Sequence, residues 1–183
     1  MLLPSNTIEI PVGLRRLVTS IQEVVDRGLP DDRTAPLVAE LLRAALPEGE
    51  LLRECDRIGS PDGYTQHVLH VGDGGGFSVV ALVWLPGQRT PVHDHISWCV
   101  VGVLEGEETE VVFARDADGP PGSLRAVGEE HNPTGSVCWL VPPDDIHVVR
   151  NDGPGLAISL HVYGADVSLL GSSIRRTYRP AGS

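Results

Sequence analysis

Gly87-Gln88-Arg89-Thr90-Pro91-Val92-His93-Asp94-His95 is a turn that leads into a short extended segment. Alternate residues of a strand face one side, so His93 and His95 point together while Asp94 points away. Two imidazoles at that spacing can bind one metal ion. Taken alone, the pair equally fits two ordinary core or surface histidines. The surroundings narrow the choice: a further histidine, His147, lies in a later strand-like run, just after Pro142-Pro143-Asp144-Asp145.

Around this segment the chain is punctuated for strands. Runs rich in Val, Leu, Ile, Trp and Tyr occupy 64–71, 77–85, 97–104, 108–115, 123–128, 136–141, 145–150 and 156–163. Clusters of Gly, Pro, Asp and Asn separate them, which predicts a β-sandwich or barrel. Upstream the period changes. Leu14, Leu17, Val18, Ile21, Val24 and Val25 recur at helical spacing after Pro11, and Gly28 and Pro30 end the run. A second helix is expected from Asp32 or Thr34 to Pro47, and a third, short one over 48–55. These helices are expected on the outside of the barrel or over one of its edges. The expectation is one domain over 1–183: a helical part to residue 58, a barrel over 64–163 and a polar tail over 164–183.

A length of 183 residues suffices for a real core without metal or disulfide staples. The formal charge of −11 argues against nucleic acid and anionic membrane as partners. Three cysteines without a C-x-x-C point away from a disulfide framework and toward a reducing compartment. With no basic leader and no long apolar run, the cytoplasm is the expected location. Cys55 and Cys138 are expected to be buried, Trp84, Trp98 and Trp139 to be core or rim residues, and His131 to lie in a loop.

The arrangement resembles the cupin superfamily, whose first motif reads G-x5-H-x-H-x3,4-E-x6-G. Gly87, His93, His95 and Gly106 match it, and Pro142/Pro143, His147 and Asn151 match the second motif. Where that motif has glutamate this chain has Cys99, so three neutral imidazoles are left as ligands. A sharper resemblance is to the cysteine dioxygenase family of thiol dioxygenases, a branch of the cupins. That family carries Ser-x-His-x-Tyr on a later strand, here Ser159-Leu160-His161-Val162-Tyr163. The resemblance implies one Fe(II) per chain on His93, His95 and His147, a small-molecule thiol and O2 as substrates, and a sulfinic acid as product. It also implies that Ser159, His161 and Tyr163 form a hydrogen-bonded line that sets the Tyr163 hydroxyl over the metal. The physical sense is independent of the family. Three neutral ligands leave a divalent ion its full charge, which favours a deprotonated substrate sulfur. From the ligands alone, zinc stays open.

Within that family the residue two places after a tyrosine on the first strand separates the branches. Here Tyr64 is followed by Gln66, as in the bacterial 3-mercaptopropionate dioxygenases, where the cysteine-specific branch has arginine. In the glutamine branch an arginine pair after the His-x-Tyr strand holds the substrate carboxylate. Arg175-Arg176 resembles it, four residues farther on than expected, and Arg176 is the favoured member. Cys99 resembles the cysteine-specific branch, in which that cysteine is joined to the tyrosine by a thioether, here Tyr163. The expected substrate is 3-mercaptopropionate, with L-cysteine as the alternative. A non-catalytic small-ligand-binding cupin and a zinc or manganese cupin isomerase are the alternatives of other classes.

Overall fold

The computed structural model describes residues 10–48, 50–120 and 122–179. Leu14, Leu17, Val18, Ile21 and Val24 form the buried side of helix α1 (Val12–Val25). Val38, Ala39 and Leu42 do the same for α2 (Asp31–Ala45), which opens with Asp31 and Asp32 in its first turn. Acidic groups there suit the positive end of the helix dipole. The expected third helix is only a 3-10 turn, Glu54–Arg57. No helix among the described residues is long and apolar enough to cross a membrane.

Ten strands follow: β1 (Thr65–Val71), β2 (Ser78–Trp84), β3 (Val92–His95), β4 (Cys99–Glu105), β5 (Glu107–Arg115), β6 (Leu124–Pro133), β7 (Val137–Leu140), β8 (His147–Arg150), β9 (Ala157–Tyr163) and β10 (Ile174–Tyr178). They make two five-stranded sheets, ordered β1-β2-β9-β4-β7 and β10-β3-β8-β5-β6, with antiparallel neighbours throughout. This is the cupin fold: a small barrel of two facing sheets, preceded by two helices.

The first sheet is covered on both faces, so β2 and β9 are buried from end to end. Side-chain alternation divides them. Val79, Ala81, Val83, Val100, Ile158, Leu160 and Val162 pack outward against α1 and α2. Val80, Leu82, Trp84, Cys99, Val101 and Tyr163 point into the barrel. Close helix packing needs Gly102 on β4, because a Cβ there would come 2.8 Å from Leu42 Cδ2.

The two motif glycines have different tasks. Gly87 adopts φ +81° in an open turn and its amide donates to the Asn151 carbonyl at 2.8 Å. Gly106 adopts φ +73° at the corner where β4 leaves one sheet and β5 joins the other. A Cβ on Gly106 would stand 2.6 Å from the Leu156 carbonyl oxygen. The left-handed conformation alone costs an alanine about 1–2 kcal/mol, and the clash adds to it. Gly106→Ala is therefore expected to lose at least about 2 kcal/mol of stability by urea unfolding, and Gly87→Ala distinctly less. Equal losses would show that the corner clash does not matter.

Two expectations require correction here. His131 lies within β6, not in a loop: strand pairing with β5 runs on as far as Glu107 opposite Pro133. Cys55 is exposed, because it sits on the short 3-10 turn and not on a packed face. Part of the tail also turns out to be structured. Residues 174–178 form β10, paired with β3.

Candidate metal centre

The second sheet brings the three expected ligands together. His93 on β3 pairs directly with His147 on β8, and His95 lies two residues along on the same face. The Nε2 atoms of His93 and His95 are 3.2 Å apart, as are those of His93 and His147. All three residues are buried, and their ligand atoms fall within 4.8 Å of one another. The opposite edge of each ring is held. His93 Nδ1 faces the Pro91 carbonyl at 2.9 Å, His95 Nδ1 meets Asp145 at 2.9 Å, and His147 Nδ1 meets Glu110. Outer partners of this kind fix ring orientation and leave the inner nitrogen free to coordinate. Burial first, and then the neighbouring imidazoles, push His93 down to about 3, so its lone pair is available at neutral pH. Three converging neutral nitrogens with anchored rings fit a divalent metal ion.

The first sheet faces this cluster with the other expected group. Cys99, Val101 and Val103 on β4 pair with Tyr163, His161 and Ser159 on β9, all on the inner face. Ser159 Oγ lies 3.0 Å from His161 Nε2, and Tyr163 OH lies 3.0 Å from His161 Nδ1. The three are 0%, 5% and 4% exposed. Cys99 Sγ approaches His161 Nδ1 at 3.9 Å, and burial raises both the Cys99 thiol and the Tyr163 phenol. Both are therefore protonated at neutral pH.

A cavity lies between the sheets. It is lined at depth by His93, His95, His147, Cys99, His161 and Tyr163, and nearer the mouth by Tyr64, Gln66, Ser172, Ser173 and Ile174. Tyr64 stacks on Trp84 with ring centroids 4.7 Å apart. Gln66 reaches the Gly171 carbonyl at 3.5 Å. Arg176 is not among the lining residues. The strand register explains why: Ile174 pairs with His95 and faces the cavity, whereas Arg176 pairs with Asp94 on the other face. There Arg175, Arg176 and Tyr178 all bond to Asp94 Oδ2, at 2.7, 2.6 and 2.8 Å. Burial pushes the Asp94 carboxyl up, but these three donors outweigh it and hold it below the usual carboxylate range. The arginine pair thus clamps the residue between two ligands.

Sequence reasoning missed the supports. Asp145 and Glu110 were not singled out, although both stand within three residues of expected features. Trp84 was expected only as core; its indole N–H donates to Ser159 Oγ at 3.2 Å. Asn151 of the second motif is structural. It is 1% exposed and its amide donates to the carbonyls of Trp84 and Gly155, at 3.0 and 2.8 Å.

Burial, followed by the three ligand imidazoles, pushes His161 down from 6.5 to about 3. The unfolded chain takes up a proton below about 6.5 and the folded one only below about 3. The folded state therefore holds fewer protons across that window, and stability falls as pH drops through it. Between pH 7 and 4.5 this one group is expected to remove about 2.5 kcal/mol. Urea titrations of the wild type and of His161→Gln at the two pH values measure it. An identical loss in both proteins would contradict it.

A family model described as cysteine dioxygenase type I matches residues 11–170. Among solved structures the chain is similar to a Thermus thermophilus protein at 23% identity, over 62% of this chain and 96% of that one, with a TM-score of 0.45. It is likewise similar to a cupin superfamily protein of Desulfitobacterium hafniense at 15% identity, over 62% and 89% of the two chains, with a TM-score of 0.44.

Proposed function

The chain belongs to the cysteine dioxygenase type I family, and we propose that this thiol dioxygenase uses Fe(II) and O2 to oxidise 3-mercaptopropionate to its sulfinic acid in preference to L-cysteine. The observation that carries the substrate choice is the lining of the cavity. Beyond the imidazoles and Cys99, its polar groups are hydroxyls and one amide: Tyr64, Gln66, Ser172, Ser173 and Tyr163. No Asp or Glu lines it, so the ammonium of cysteine would enter without an anionic partner, a costly burial. A thiol carboxylate lacks that group. Its carboxylate can accept from the Gln66 amide and the Ser172 and Ser173 hydroxyls.

Fe(II) held by His93, His95 and His147 would supply a Lewis acid for the substrate sulfur and a partner for O2. The protein's part is positional. Asp145, Glu110 and the Pro91 carbonyl aim the three rings. Asp94, clamped by Arg175 and Arg176, ties β3 to β10, the strand that carries Ile174 to the cavity wall. Ser159 and His161 hold the Tyr163 hydroxyl at the cavity, where it can bond to substrate or oxygen. The L-cysteine alternative draws on Cys99, which stands directly opposite Tyr163 across the β4–β9 pair. The same resemblance suggests a Cys99–Tyr163 thioether in the working enzyme.

With purified iron-loaded protein, kcat/KM is expected to be at least about tenfold higher for 3-mercaptopropionate than for L-cysteine, a difference of about 1.4 kcal/mol. Steady-state oxygen uptake with each thiol checks it. Equal or better turnover of L-cysteine would overturn the substrate assignment.

A further inference from the structure

The barrel interior holds one carboxyl that the metal ligands do not use. Glu108 on β5 is 2% exposed, and its Oε1 has no hydrogen-bond partner. Its neighbour on the same face, Glu110, is engaged by His147. The carboxyl of Glu108 instead faces the Ser159 hydroxyl and the Trp84 indole. We propose that Glu108 is a positioning residue that sets the direction of the hydrogen-bond line through Ser159, His161 and Tyr163, and so decides whether Tyr163 offers the cavity a proton or a lone pair. This rests on Tyr163 being the group that meets the substrate.

The argument is a count of donors and acceptors. The Trp84 indole N–H only donates, so it always occupies one lone pair of Ser159 Oγ. Ser159 then has one hydrogen to give and one lone pair left. His161 is neutral, so one ring nitrogen donates and the other accepts. Two self-consistent states follow. With Glu108 protonated, its O–H donates to Ser159 and Ser159 donates to His161 Nε2. His161 Nδ1–H then donates to the Tyr163 oxygen, and the Tyr163 O–H is free to donate into the cavity. With Glu108 ionised, Ser159 donates to the carboxylate and accepts from His161 Nε2–H. Nδ1 then accepts the Tyr163 O–H, and only a lone pair of Tyr163 faces the cavity. The two states differ by one proton, held on Glu108 in the first and given up at the Tyr163 end in the second.

The surroundings let both states exist near neutrality. Burial raises Glu108 to about 7, against the pull of Ser159 and Trp84. The titratable groups that face it are Glu110 on its own strand, Cys99 on β4, Cys138 on β7, and His161 and Tyr163 on β9. None of them is a cation at neutral pH that would hold Glu108 ionised.

The test is the His161 tautomer, read by nitrogen-15 NMR on the metal-free full chain with labelled histidine, the signal being assigned by its loss in His161→Gln. In the wild type the protonated nitrogen is expected to change from Nδ1 to Nε2 as pH rises through about 7. In Glu108→Gln this exchange is expected to vanish, and the kcat of the iron-loaded variant to lose the pH dependence that Glu108 imposes, at unchanged iron content. Should that variant not fold, Ser159→Ala cuts the line and must abolish the exchange equally. A single tautomer across the range in the wild type, or an exchange that survives both substitutions, would overturn the proposal. The tautomer measurement needs no turnover, so its failure is separate from any failure of the thiol dioxygenase assignment.

Discussion

His147→Ala is expected to lose metal and turnover together. His147 is one of only three ligand side chains, and no carboxylate stands at the position of Cys99 to replace it. Removing an outer partner of a ligand typically costs 10- to 100-fold, and removing the ligand itself costs more. Turnover should therefore fall below about 1% of wild type, with iron content near zero after desalting. Glu110→Gln gives the scale: it leaves all three ligands but loosens the ring of His147, and should weaken metal retention by about 10- to 100-fold. His131→Ala should bind iron normally, since His131 lies on exposed β6 beside Glu107 and Glu129. Metal analysis beside oxygen uptake decides. Full activity in His147→Ala would remove the assignment of the centre.

Tyr163→Phe is expected to show the opposite pattern: metal retained, chemistry slowed. The ring is packed into the inner face of the first sheet and bonds to His161 only through its hydroxyl. Phenylalanine keeps the packing and deletes that hydroxyl. Losing one placed hydrogen-bonding group at a reacting centre typically costs about 10²–10³ in kcat, or about 2.7–4 kcal/mol. Iron content and urea midpoint should stay near wild type. Ser159→Ala should cost less, because Ser159 acts on Tyr163 only through His161. A Tyr163→Phe protein with wild-type kcat would place the hydroxyl outside the reaction.

The site was more legible in the sequence than its supports. His93, His95 and His147 declare themselves through strand parity and motif spacing, because alternation along a strand is a local rule. The same rule placed Ser159, His161 and Tyr163 on one face. Arg176 shows where it stops. In a tail without clear period, nothing in the sequence fixed the register that sets Ile174 opposite His95 and turns Arg176 toward Asp94. Glu108, Glu110 and Asp145 went unnoticed because an acidic residue on a strand ordinarily faces solvent. Only pairing of β5 with β8, and the approach of the two sheets, turns the first two inward. The helices were readable from their period, but the sheet face they cover was not, since contacts between distant segments leave no mark on local spacing.

Oxygen uptake with isotopically labelled O2 tests the central claim most directly. Iron-loaded protein is given 3-mercaptopropionate under oxygen-18 gas, and the product is weighed by mass spectrometry. A thiol dioxygenase working at this three-histidine centre must consume one O2 per thiol and place both labelled atoms in the sulfinic acid. Uptake no greater than that of protein-free iron, or a product that is disulfide without label, would contradict the account.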